Sequence, residues 1–162
     1  MADHVIIQSR DAIIARIKAA STSASTRVYA VHEVPVDQVE VTSPFVLVEI
    51  GDDDDERMAM GGGPDPTIPQ ILEDIRQSYF IHCIAKLDGD AEKSAYNLRG
   101  EVEAALLATT AGLTLSGTVQ MLTRVGGFNN RDQAIDQEVF NAAIQVVAQI
   151  RHLEGAPTSF TY

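Results

Sequence analysis

Few residues in this chain have the type and spacing for chemistry. Cys83 stands beside His82, the raw material of a thiolate and its base. A base must lie within hydrogen-bond reach of its nucleophile. The surrounding run, Tyr79 to Leu87, alternates as a strand, with Tyr79, Ile81, Cys83, Ala85 and Leu87 on one side. Phe80, His82, Ile84 and Lys86 fall on the other. Strand neighbours point to opposite faces, so the dyad fails and Cys83 reads as a small buried hydrophobe. No G-x-S-x-G elbow occurs.

Metal chemistry fares no better. His4, His32, His82 and His152 are never three or four apart, so no helical ligand pair exists. The acidic run Asp52-Asp53-Asp54-Asp55-Glu56 suggests calcium. An EF-hand loop starting at Asp52 needs Gly sixth and Glu twelfth, and those places hold Arg57 and Gly63. The ordinary reading is a solvated acidic loop, or a charged surface facing a partner. Gly61-Gly62-Gly63 runs into prolines instead of a helix start, so it cradles no phosphate. Glu101 and Glu103 diverge around a helix. With only Lys18, Lys86 and Lys93, no basic patch forms. The expectation is no catalytic residue, no metal and no cofactor. The rival is a small enzyme or ligand-binding site gathering His32, His82 and the acidic loop in space.

The bulk properties agree. The chain has 162 residues, room for one domain with a real core. Aromatics make up only 6% and Trp is absent, so the core must be aliphatic. The net charge of −11 disfavours a surface that grips nucleic acid or an anionic membrane. A single cysteine permits no intrachain disulfide. No apolar run reaches the ~18 residues of a membrane span, and Val5 to Ile7 is too short for a signal peptide. Synthesis in the cytoplasm is the expectation.

The elements that must position these residues follow from periodicity. Ile6, Ile13, Ile14, Ile17 and Ala20 predict an opening helix, with Asp3 or Asp11 serving its early turns. Ser21 to Thr26 is a polar stretch with little to offer a core. Arg27 to Val34 reads as a strand ended by Pro35, and Phe45 to Ile50 as a buried strand stopped by the acidic run. A flexible acidic, Gly/Pro-rich loop is expected at about 52–69. Gln70 to Arg76 fits either a helical turn or the lead into the strand Tyr79–Leu87. Asp90 is a plausible N-cap for a helix over Ala91 to Ala108. Its apolar stripe is Ala91, Ala95, Leu98, Val102, Ala105 and Leu106, and Arg99 sits four residues before Glu103. Gly112 is read as the breaker. Gly117 to Val125 predicts a strand and Gly126 to Asp136 a polar loop. Residues 139–153 fit both periods, the strand giving the cleaner polar partition. The sum is a single α+β domain over 1–162. It has a mostly antiparallel sheet, an N-terminal helix and one long helix packed on the sheet.

This order resembles the tail terminator family of long-tailed bacteriophages and gene-transfer particles. The residues that carry most of the resemblance run Tyr79-Phe80-Ile81-His82-Cys83-Ile84-Ala85-Lys86-Leu87-Asp88-Gly89-Asp90-Ala91. They continue through Tyr96-Asn97-Leu98-Arg99-Gly100-Glu101-Val102-Glu103-Ala104-Ala105-Leu106. The opening helix and the closing run Val139 to Leu153 fit the same pattern.

The resemblance implies a structural virion protein. It would form a homo-oligomeric ring, a hexamer in that family, on the end of the tail tube. The ring would end tube polymerisation and join the tube to the head-side connector protein. DNA would pass through without specific binding, and no membrane would be involved. A neck or head-completion protein of the same virion is the nearest alternative, and an adaptor domain docking through its Gly/Pro loop a more distant one. The expected interface or lumen residues are Asp52, Asp53, Asp54, Asp55 and Glu56. With them go Met58, Met60 and Ile68 as apolar loop groups, and Arg124 and Arg131 as cations for a neighbouring subunit.

Overall fold

The computed structural model describes residues 3–33, 43–60, 70–86, 90–134 and 137–153. In chain order the elements are α1 (Val5–Ala19), β1 (Val28–Ala30), β2 (Phe45–Met60) and β3 (Gln70–Lys86). Then come α2 (Ala91–Leu107), α3 (Thr110–Leu113), β4 (Met121–Ala134) and β5 (Gln137–Leu153). They build the expected α+β fold. Its one sheet has the order β1-β2-β3-β5-β4. β1 runs parallel to β2, and every other pair is antiparallel.

The core lies between one face of this sheet and the two long helices. Alternation puts Val46 and Val48 of β2, Tyr79, Ile81 and Cys83 of β3, and Ile144, Val146, Ala148 and Ile150 of β5 on that face. Ile13, Ile14 and Ile17 of α1 and Leu98, Val102 and Leu106 of α2 close over them. The buried face of α2 is the predicted stripe residue for residue. Asp90 caps it, accepting from the Lys93 amide, and Arg99 donates to Glu103 at 2.9 Å. Tyr79 is fully buried and donates its hydroxyl to the Ile6 carbonyl at 2.8 Å, fixing α1 to the sheet. Arg16 crosses from α1 to the Ala105 carbonyl near the end of α2 at 3.1 Å. A cation there meets the negative end of the helix dipole. None of the described helices is long and apolar enough to cross a membrane.

Several expectations need correction. The acidic run does not stop β2, which continues through Asp52–Glu56 to Met60, paired with β3 on either side of a bulge. That bulge, between Ile50 and Asp53, absorbs the change of register, and buried Gln77 holds it. The Gln77 amide donates to the carbonyls of Gly51 at 2.7 Å and Asp52 at 3.3 Å. Only 61–69 of the expected loop lie outside the described residues. Of the two readings offered for Gln70 to Arg76, the lead into the strand is the one observed, as the start of β3. The polar stretch 126–134 is likewise strand, not loop, because β5 supplies its hydrogen bonds. Met121, not Gly117, begins β4, after a 3₁₀ turn at Leu115–Gly117. β1 is shorter than predicted, giving way at Val31 to another 3₁₀ turn. Residues 139–153 are strand, the one of the two readings that had the cleaner polar partition.

Chain breaks also differ in detail. α1 is capped by the His4 ring, which accepts from the Ile6 amide. Ser21 to Thr26 contributes more than expected, since Ala24 and Thr22 are buried. Gly112 does not end α2. It sits inside α3, where an added Cβ would stand 2.6 Å from the Leu106 carbonyl oxygen. Its role is to let α3 fold back against the end of α2.

Candidate assembly surface

Among the described residues, the helices cover one face of the sheet only. The opposite face is formed by Leu47 of β2, Phe80 and His82 of β3, Phe128 of β4, and Gln145 and Val147 of β5. Phe128 is 43% exposed, Val125 59% and Met121 49%. Aliphatic and aromatic surface of this kind in one place marks an interaction site more often than scattered exposed residues do. Arg76, Met121, Thr123, Val125, Val147 and Gln149 line a shallow concavity of about 380 Å³ there.

Polar groups are interleaved with the apolar ones. His82 lies 3.0 Å from a Glu49 carboxylate oxygen through Nε2, and its Nδ1 is 2.9 Å from the Asn141 side-chain nitrogen. Phe128 meets the edge of His82, with ring centres 5.7 Å apart, and leans on Phe80 at 6.2 Å. Further along, Arg151 of β5 holds Asp74 of β3 with two hydrogen bonds, at 2.7 and 2.8 Å. The guanidinium holds the Asp74 carboxyl below the usual carboxylate range, against the opposing effect of burial.

Cys83 and His82 lie on opposite faces of the sheet, as strand alternation led us to expect. Cys83 is fully buried on the helix-covered face, and burial pushes its thiol up to about 12. The proposed gathering of His32, His82 and the acids is not observed. His32 approaches Arg10 of α1 at 3.4 Å, while His82 pairs with Glu49 and Asn141. His4 and His152 do meet edge to face, at 6.4 Å, a contact between the start of α1 and the end of β5 that spacing could not reveal. Among the described residues, no group of three or more His, Cys, Asp or Glu side chains could hold a metal ion.

The expected interface residues fall on both margins of the sheet. Asp52, Asp53 and Asp54 are exposed on β2. Asp55, Glu56, Met58 and Met60 continue along the same strand, opposite Ile75, Asp74, Leu72 and Gln70. Ile68 lies outside the described residues. Arg124 and Arg131 are both on β4, the far margin. Arg124 already has a partner within the chain, Glu103 of α2 at 3.4 Å, yet remains 44% exposed. Arg99 reaches the same carboxylate and lies across Gly127, where a Cβ would stand 2.7 Å from its guanidinium. Sequence reasoning missed the exposed face itself. Its signal was the alternation of Met121, Thr123 and Val125 against buried Leu122.

No protein-family model matches this chain, and no curated protein does. Among solved structures it is similar to a chain described as "Virion of native gene transfer agent (GTA) particle". The two are 16% identical, the match covers 86% of this chain and 93% of that one, and the TM-score is 0.44. Similarity at that level carries no argument about function.

Proposed function

We propose that this chain is a non-catalytic structural protein of a tailed particle, a tail terminator that works as a ring. The observation that carries the proposal is the one-sided sheet. A domain normally buries both faces of a sheet or makes the outer face polar. Here the outer face shows Phe128, Val125 and Met121 to solvent, as suits a subunit completed by neighbours. The order of the fold supports the family reading. An opening helix, a long strand, a capped helix and two long closing strands are the elements on which the sequence resemblance rests.

On this reading the ring is a hexamer on the last turn of the tail tube. It contacts the tube protein on one side and the head-side connector on the other. DNA passes through a lumen that the −11 charge of each subunit keeps from binding phosphate. The protein resides in the virion tail after synthesis in the host cytoplasm.

Deleting the chain from its own particle tests the assignment. The expected result is tubes of uncontrolled length that never join heads. Tubes of normal length beside unjoined heads would instead indicate a neck or head-completion protein. Intact infectious particles would contradict both.

A further inference from the structure

The sheet ends on both sides in long strands that lack a neighbour among the described residues. On one margin, β1 covers β2 only at Val46–Val48, leaving the edge from Glu49 to Met60. On the other, β4 pairs with β5 alone. A free edge presents unpaired amide and carbonyl groups and is a template for another strand. The two edges carry opposite charge. β2 beyond β1 holds Glu49, Asp52, Asp53, Asp54, Asp55 and Glu56 against one cation, Arg57. β4 holds Arg124 and Arg131 against one acid, Asp132. Two copies therefore repel when like edges meet and attract when unlike edges meet.

Strand direction points the same way. The four long strands β2-β3-β5-β4 alternate in direction, so β2 and β4 run opposite to each other. Rotation about an axis lying along the strands preserves direction. In a cyclic assembly about such an axis, β4 of one copy meets β2 of the next antiparallel, the commoner pairing. The contact is head-to-tail, the type that closes into rings.

We infer that the occupant of the β4 edge is the acidic β2 edge of a second copy of this chain. The pairing joins the sheets of neighbouring copies along the part of the β2 edge that β1 leaves open. It brings Arg124 to the acidic run Asp52–Asp54 of the neighbour. Within one chain these groups are kept apart, because three strand spacings of ~4.8 Å separate β2 from β4. The inference rests on the ring reading above and adds to it the edges that meet and the polarity of the joint.

A charge swap tests it. Four full-length proteins are compared by native mass and sedimentation over a range of concentrations: wild type, Arg124→Glu, Asp53→Lys with Asp54→Lys, and the three changes combined. All of these side chains are exposed, so circular dichroism and melting should show four similarly folded chains. Arg124→Glu faces Glu103 in its own chain, so Arg124→Gln serves as a variant without that repulsion. The expected result is that each single-edge variant raises the concentration needed for assembly by about tenfold or more. The combined protein should recover most of the loss. A wild type that assembles, with every variant assembling equally well, would overturn the edge pairing and leave the ring reading standing. A wild type that stays monomeric at every concentration, with its tail tube present as well, would overturn both.

Discussion

Single side chains decide where this protein is rigid and where it responds to acid. Gln77 is buried and holds the β2 bulge by its amide alone. Cys83 is sealed in the core, where it packs as a small apolar group. The Asp74–Arg151 pair has a different consequence. Its carboxyl titrates below the ordinary Asp value because Arg151 stabilises the ionised form. A lowered folded-state pKa adds stability that is fully present above the unfolded value near ~4. That stability is lost as pH falls through the lower folded value. We therefore expect the wild type to lose stability from about pH 4 downward more steeply than Asp74→Asn, by urea denaturation across that range. Identical slopes would show that the pair contributes nothing. His82 and Glu49 were visible in the sequence only as isolated residues. Their contact depends on the register Leu47↔His82, which sets Glu49 one strand-step along the same face.

At the scale of elements, legibility followed the period. α2 was readable in full, from its Asp90 cap to each buried residue, because one face is apolar and the other charged. The alternation of β3 was plain from Tyr79 onward, whereas Gln70–Arg76 and residues 139–153 fitted a helical reading as well and were settled as strand by their pairing. The extensions of β2 and β4 were not readable. Asp52–Asp55 and Gly126–Asn130 are poor strand formers, and their strand geometry comes from the partners that pair with them. Half of the candidate surface was hidden for that reason: the acids and Arg131 looked like loop residues until pairing placed them on opposite margins. Gly112 shows the same limit. A glycine after a helix suggests a stop, whereas here it allows α3 to lie against the Ala105 and Leu106 carbonyls. Gly112→Ala should cost about 1–3 kcal/mol, since backbone and not a flexible side chain must move. Chemical denaturation measures this, and a change within about 0.5 kcal/mol would mean that the turn is not tightly packed.

For the whole molecule, the asymmetry of the sheet is the main fact. One face is closed by α1 and α2, while the other carries exposed apolar side chains and ends in two oppositely charged edges. On the proposed reading, these features belong to a subunit that is finished by copies of itself. The charge of −11 per subunit would, on the proposed ring reading, keep DNA from adhering to the assembly. The most direct test of this account is the assembly state of the purified chain, by native mass and negative-stain images at several concentrations, with and without its tail tube. The account predicts a closed ring of about six copies with an open centre. A chain that remains monomeric in every condition, tube included, would contradict it.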